Sequence, residues 1–68
     1  MNEETFNNAI RKLLKQVGVT SQQEIEKAVQ AAIDSGSLQG HETLHARVDV
    51  RIEELDMHHE LEAEIPLE

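Results

Sequence analysis

The sequence contains no cysteine, tryptophan or tyrosine, and only one phenylalanine and one proline. Without cysteine there is neither a disulfide framework nor a thiolate zinc site, so the staples common in very small proteins are missing and the redox compartment is left open. With Phe6 as the sole aromatic residue, the core must be aliphatic, and there is no platform on which unpaired bases could stack. Long apolar runs are absent too, and Glu3 and Glu4 occupy the place of a signal peptide's basic start. Neither a membrane span nor an export signal is expected, which makes a cytoplasmic location the default expectation. No linker, internal repeat or low-complexity segment interrupts the chain.

What is present is a chain of 68 residues, 38% hydrophobic and 7.7 kDa, read as one domain over residues 1–68. This length lies near the lower limit for a self-sufficient core, so stability must come from well-patterned packing or from self-association. The formal net charge is −8, and it is unevenly spread. Residues 1–19 set Glu3 and Glu4 against Arg11, Lys12 and Lys15, whereas most of the acid lies beyond residue 41. Such a field repels phosphate backbones and anionic lipid over most of the surface.

Phe6, Ile10, Leu13, Leu14 and Val17 recur at helical spacing and predict an amphipathic helix over residues 3–17. Gly18 suits a left-handed C′ position after it, with Val19 closing on Leu14. The stretch "VTSQQEIE" then offers two capping boxes, Ser21 with Glu24 and Thr20 with Gln23. A second helix is expected over residues 21–35, with Ile25, Ala28, Val29, Ala32 and Ile33 as its apolar stripe and Gly36 as its terminator.

Beyond the loop the period changes to two. Leu44, Ala46, Val48, Val50 and Ile52 alternate with polar residues and predict a strand over residues 43–53. Leu61, Ala63, Ile65 and Leu67 alternate with glutamates and predict another over residues 58–66. With Leu55 and Asp56 as a two-residue turn, Val50 faces Leu61, Arg51 faces Glu60 and Arg47 faces Glu64. Two features oppose that register: Asp49 meets Glu62, and no Asn-Gly or Asp-Gly pair is present, so a longer loop that shifts the pairing in steps of two remains open.

The expected fold is therefore α+β, two N-terminal helices packed on a C-terminal antiparallel hairpin in the order ααββ. A two-stranded sheet is thin and its edges offer unpaired backbone groups, so a homodimer is one way to complete it. Pro66 and the neighbouring glutamates guard the last strand, leaving residues 44–52 as the better pairing edge.

Helix, tight turn, helix and hairpin is also the order of a winged-helix DNA reader. In this chain the recognition helix would present Gln22, Gln23, Glu24, Glu26, Lys27 and Gln30, and the wing would bring strong negative charge to the phosphates. Only Arg11, Lys12, Lys15, Arg47 and Arg51 could contact a backbone.

Four histidines raise the question of a metal. His41 and His45 are four apart and His58 and His59 adjacent, but His41 and His45 span a loop entering a strand, and the expected register puts His45 at the opposite end of the hairpin from His58. No metal site is assigned. Catalytic and cofactor-binding residues are likewise not assigned: Ser35-Gly36-Ser37 follows a helix where a phosphate cradle would precede one, and the glutamates at 60, 62 and 64 fit a solvated strand face that could also steer a basic partner.

The opening Met1 to Phe6, the Ile10-Arg11-Lys12 step, Val17 to Ile25 and "GHETL" at Gly40 to Leu44 resemble a family of short bacterial proteins designated domain of unknown function 6494. The resemblance covers most of the chain and weakens after Arg47. It implies a stand-alone bacterial protein and carries no activity or site residue onto any position here. Leu67-Glu68 is compatible with a tag junction, while Leu67 also fits the inward alternation, and the origin of these two residues stays open.

Taken together, the residues favour a non-enzymatic protein–protein interaction module, self-association included, with an unidentified protein partner or itself. The alternative is a winged-helix-like nucleic-acid module, for which the charge distribution is unfavourable. No cofactor and no membrane association are expected.

Overall fold

The computed structural model describes residues 1–68. In chain order the elements are α1 (Glu3–Asp34), β1 (Thr43–Ile52), a short 3-10 turn (Glu53–Leu55) and β2 (Met57–Pro66). The chain divides into a helical unit, Met1–Ser37, and a hairpin unit, Leu38–Glu68.

The antiparallel hairpin and the α+β class agree with the sequence; the number of helices does not. In place of helices at residues 3–17 and 21–35 there is one helix that runs through the expected turn. Gly18 is not among the positive-φ residues, so it is no C′ glycine, and Val19 closes no Schellman motif there. The Thr20 hydroxyl turns back and donates to the Gln16 carbonyl at 2.7 Å instead of capping a new helix. The physical reason is a comparison of costs. A glycine in a helix interior costs about 1 kcal/mol relative to alanine. A break would leave about four amides and four carbonyls without intrahelical partners, and it is favoured only when tertiary packing rewards it. Capping boxes permit a helix start; they do not compel one.

The ends of α1 are well specified. Asn2 caps the N-terminus, its side chain accepting from the Thr5 amide at 3.0 Å, and Glu3 and Glu4 face the positive end of the helix dipole. At the other end Ser37 N–H donates to Ala32 at 2.8 Å and Gly36 N–H to Ile33 at 3.1 Å, with Gly36 at φ 83°. This is the Schellman arrangement expected at Gly18, placed eighteen residues later at Gly36. Pairs such as Gln22–Glu26 and Gln30–Asp34 brace the exposed surface.

Continuity of the helix has a consequence for its apolar residues. Steps of three or four residues lead without interruption from Phe6 through Ile10, Leu13 and Val17 to Ser21, and on through Ile25 and Ala28 to Ala32. The two stripes expected on separate helices become a single seam along one face, with Ser21 as its only polar member.

In the hairpin unit the register differs from the expected one by two residues. Val48 pairs with Leu61, Leu44 with Ile65, Arg47 with Glu62, Arg51 with His58 and Ile52 with Met57. The loop has four residues, Glu53 to Asp56, because Asp56 alone takes a left-handed conformation (φ 49°, ψ 39°). A two-residue turn of the favoured I′ type would need Leu55 there as well, which a bulky side chain resists. Since the slip is even, every side chain keeps its expected face. Leu67 N–H still reaches the Glu42 carbonyl at 3.0 Å, so the pairing continues just past β2.

The polar loop before β1 is organised by one carboxylate. Glu42 accepts amide hydrogens from Gln39 and Gly40 at 2.9 Å and from His41 at 3.1 Å. Hydrogen bonds from the Gln39 amide and Glu42's own amide, with lesser ones from Gly40 and His41, outweigh desolvation and hold this carboxyl below its ordinary range.

Nowhere does the chain bury a side chain. Leu13 and Leu14 remain 54% and 55% exposed, and Phe6 50%.

Candidate functional site

The densest grouping of chemically active side chains is on the polar face of the hairpin. Strand alternation puts Arg47, Asp49 and Arg51 of β1 on this face, and the register sets Glu62, Glu60 and His58 of β2 opposite them in that order. Asp49 and Glu60 are therefore direct cross-strand neighbours of like charge. Each has a cationic partner: Arg51 Nε meets Asp49 Oδ2 at 2.9 Å, and Arg47 Nε meets Glu60 Oε1 at 2.9 Å. Arg47 also spans to Glu62 at 3.1 Å. The second Asp49 oxygen is engaged by His58 Nε2. Partial desolvation pushes the Asp49 carboxyl up, while the hydrogen bonds and charges of Arg51 and His58 together pull it further down, so it titrates below the usual aspartate range.

Asp49, His58 and Glu60 present ligand atoms within 4.8 Å of one another, which makes them the residues that could hold a divalent cation. The same geometry weighs against such a role. All three are exposed, and both carboxylates are already bound by arginines that a cation would have to displace. A set of three with no supporting shell falls short of the closed coordination that structural metals use. What the arrangement achieves on its own is cancellation of cross-strand repulsion.

The histidine pairs considered from the sequence are not brought together. His41 meets Glu68 at 2.7 Å, His45 approaches Glu62 at 3.8 Å and His58 meets Asp49. His59 points to the opposite, apolar face, where it stands across from Val50. The Asp49–His58–Glu60 grouping escaped the sequence because the two-residue turn put Glu62, not Glu60, opposite Asp49; the missing Asn-Gly signal was the available clue.

Of the five cations open to a phosphate backbone, Arg47 and Arg51 are committed to carboxylates on the hairpin. Arg11, Lys12 and Lys15 make no ion pair and project from the N-terminal half of α1. The turn a winged helix needs between its two helices is absent, because residues 18–21 are helical. Ser35-Gly36-Ser37 is the helix terminator, with Ser35 Oγ hydrogen-bonded to the Ala32 carbonyl at 3.2 Å. Neither unit encloses a pocket, and no helix is long and apolar enough to cross a membrane.

The larger feature is apolar. The seam of α1 and the apolar face of the hairpin, with Leu44, Val48, Ile52, Leu61 and Ile65, hold most of the chain's large aliphatic side chains, and none of them is buried.

No curated protein and no solved structure matches the chain. A family model described as "Family of unknown function (DUF6494)" matches residues 1–68. The match spans the whole chain, including the stretch after Arg47, and the chain belongs to that family of unknown function.

Proposed function

We propose that this protein is a non-enzymatic association module whose folded state is completed by another polypeptide. The observation that supports this is the absence of any buried side chain in a chain with a 32-residue amphipathic helix and a ten-residue-per-strand hairpin. Ordering a backbone costs conformational entropy that apolar burial normally offsets. A two-stranded hairpin alone is marginal in water, and most helical stability in proteins comes from packing an amphipathic face rather than from propensity. Side chains such as Leu13, Leu61 and Val48, each about half exposed, are therefore a surface that stabilises only when covered.

The charge pattern suits such a role. Arg11, Lys12 and Lys15 stand unpaired on the helix, while the hairpin carries most of the chain's acid, so a partner is oriented as well as held. Catalysis would require a shielded site with reactive groups of matched basicity, and the hairpin's ion pairs are solvated and mutually satisfied.

Amide hydrogen exchange across a dilution series tests the proposal. Protection along α1 and β1 is expected to rise with protein concentration or on addition of a partner. Strong, concentration-independent protection in a species of monomeric mass would overturn it.

A further inference from the structure

The two edges of the hairpin are not equivalent. Glu42 and Leu67 lie directly opposite each other one step beyond Thr43 and Pro66, and the Leu67 amide donates to the Glu42 carbonyl. They form a hydrogen-bonded pair, and such pairs alternate with non-bonded ones along an antiparallel ladder. The even-numbered residues of β1 therefore turn their backbone groups toward β2, and His45, Arg47, Asp49 and Arg51 turn theirs outward. On β2 the outward row is His58, Glu60, Glu62 and Glu64, ending at Pro66, which has no amide to offer. No other backbone group of the chain bonds to either row.

The outward row of β1 is complementary to itself. When a second β1 is laid antiparallel beside the first with Val48 on the two-fold axis, residues 44–52 of one copy meet residues 52–44 of the other. Arg47 then faces Asp49 of the second copy, and the two-fold repeats that pair. Both are outward-facing positions, so backbone and side chains are satisfied in one register. Asp49 keeps acceptor sites beyond those used by Arg51 and His58, and Arg47 keeps donors beyond those on Nε and Nη2 that meet Glu60 and Glu62. On the other face Leu44 meets Ile52, Ala46 meets Val50 and Val48 meets itself, so the apolar sides stay together.

Other registers lose this match. An axis between two residues sets polar against apolar side chains. An axis at Arg47 puts that arginine on its own copy, and one at Asp49 stacks the aspartates and opposes Arg47 with Arg51. Axes at Ala46 or Val50 pair only residues 43–49 or 48–52. In the favoured register one contact gives no attraction, His45 opposite Arg51, and it lies toward the ends of the pairing. On β2 the same operation fails, because every register that pairs more than half of the strand sets glutamate against glutamate. A head-to-tail contact of β1 on β2 puts no such bar in the way, but it leaves a free edge at both ends and grows instead of stopping at two copies.

From the outward-facing backbone of β1, the complementarity of Arg47 with Asp49 and the self-repulsion of the β2 edge, we propose that the second polypeptide is another copy of this chain, joined β1 to β1 about Val48. The proposal rests on the association reading above and names its partner. The product is a four-stranded antiparallel sheet in the order β2–β1–β1–β2, which passes the three strands that independent stability in water requires. Only the glutamate-guarded edges are left open.

Because the chain has no cysteine, single substitutions supply unique cross-linking sites. In this register the two copies of position 48 have Cα atoms about 4.5 Å apart, inside the usual disulfide range of about 4.4–6.8 Å. The two copies of position 46 are offset by about 13 Å along the strands at 3.4 Å per residue. Val48→Cys is expected to cross-link under mild oxidation, and Ala46→Cys is not. In the unsubstituted chain, exchange of the Arg47 and Asp49 amides should slow about threefold for each tenfold rise in concentration once the dimer dominates, the square-root law of a monomer–dimer equilibrium. The Glu60 and Glu62 amides, on the free edge, should not respond. Sedimentation equilibrium fixes the mass. A dimer whose Arg47 and Asp49 amides stay unprotected, or one that cross-links at position 46 in preference to 48, overturns the β1 pairing and leaves the association reading standing. So does a mass that grows beyond two copies, or a monomer with fast exchange throughout. A monomer with strong, concentration-independent protection overturns both.

Discussion

Asp49 stands directly across the hairpin from Glu60, and each carboxylate is held by an arginine of β1, Arg51 for the first and Arg47 for the second. Like charges at directly opposed positions destabilise a sheet, so the two arginines offset a local defect in the register and do not merely decorate the surface. Replacing Arg51 with alanine leaves Asp49 with only His58, and replacing Arg47 frees Glu60 and leaves Glu62 with only His45 at 3.8 Å. Both variants are expected to loosen the hairpin, Arg47→Ala more than Arg51→Ala. Cross-strand NOE intensities between Val48 and Leu61 measure the effect; equal and undiminished intensities would show that the ion pairs are ornamental.

The acid response of the hairpin unit follows from two carboxyls. Asp49 and Glu42 both titrate below their ordinary ranges, Asp49 because Arg51 and His58 outweigh desolvation, Glu42 chiefly because the Gln39 amide bonds to it. A depressed folded-state value means the contribution is fully present above the unfolded value, near 4 for aspartate and slightly higher for glutamate. It is lost as the pH falls through the lower folded-state value. The hairpin is therefore expected to weaken with acidification only below about pH 4 on this account. In Glu42→Gln the acid-induced shifts of the Gln39, Gly40 and His41 amides should vanish, and in Asp49→Asn that part of the hairpin's acid sensitivity should disappear. Unchanged pH profiles in both variants would show that other groups govern the response.

Period and pattern made the hairpin legible: strict alternation in residues 44–52 and 61–67 located both strands and assigned every side chain to a face. The register was missed by two because alternation repeats every two residues and is blind to even slips. That uncertainty hid the Asp49–His58–Glu60 grouping, which exists only in the observed pairing. The helix's C-terminal end was legible at Gly36, whereas the Asn2 cap at its start was not read from the sequence. At Gly18 to Ser21 the same signals misled, because a glycine and two capping boxes are tolerated inside a helix when no packing rewards a break. The continuous seam followed from that continuity and was invisible while the helix was divided.

The loop offers a direct check on the register. Asp56 is the only non-glycine residue with positive φ, and its amide donates to Glu53 at 3.0 Å to close the turn. Glycine adopts this conformation without the steric cost of a side chain, so Asp56→Gly should stabilise the hairpin by roughly 0.5 kcal/mol, near the lower end of the usual gain. Asp56→Val should destabilise it by about 1–2 kcal/mol. Strand amide dispersion read against temperature distinguishes these outcomes. If both substitutions prove neutral, Asp56 does not hold the left-handed position and the four-residue loop is wrong.

Gly18 and Gly36 discriminate most sharply between one helix and two. In the continuous helix Gly18 is an interior residue, and an added methyl group meets nothing within 4 Å. Gly18→Ala should then raise helix stability by about 1 kcal/mol, since alanine is the better helix former and restricts the unfolded chain. Gly36 is at φ 83°, where any side chain is strained, so Gly36→Ala should lower stability by about 1–2 kcal/mol despite equally open space around it. A chain with its first helix ending at residue 17 predicts the opposite sign at position 18, because alanine would be forced into the left-handed region. Thermal unfolding followed by far-UV circular dichroism reads both variants in one experiment. Stabilisation at 18 with destabilisation at 36 establishes a seam running the length of α1, and a loss at both positions would divide it.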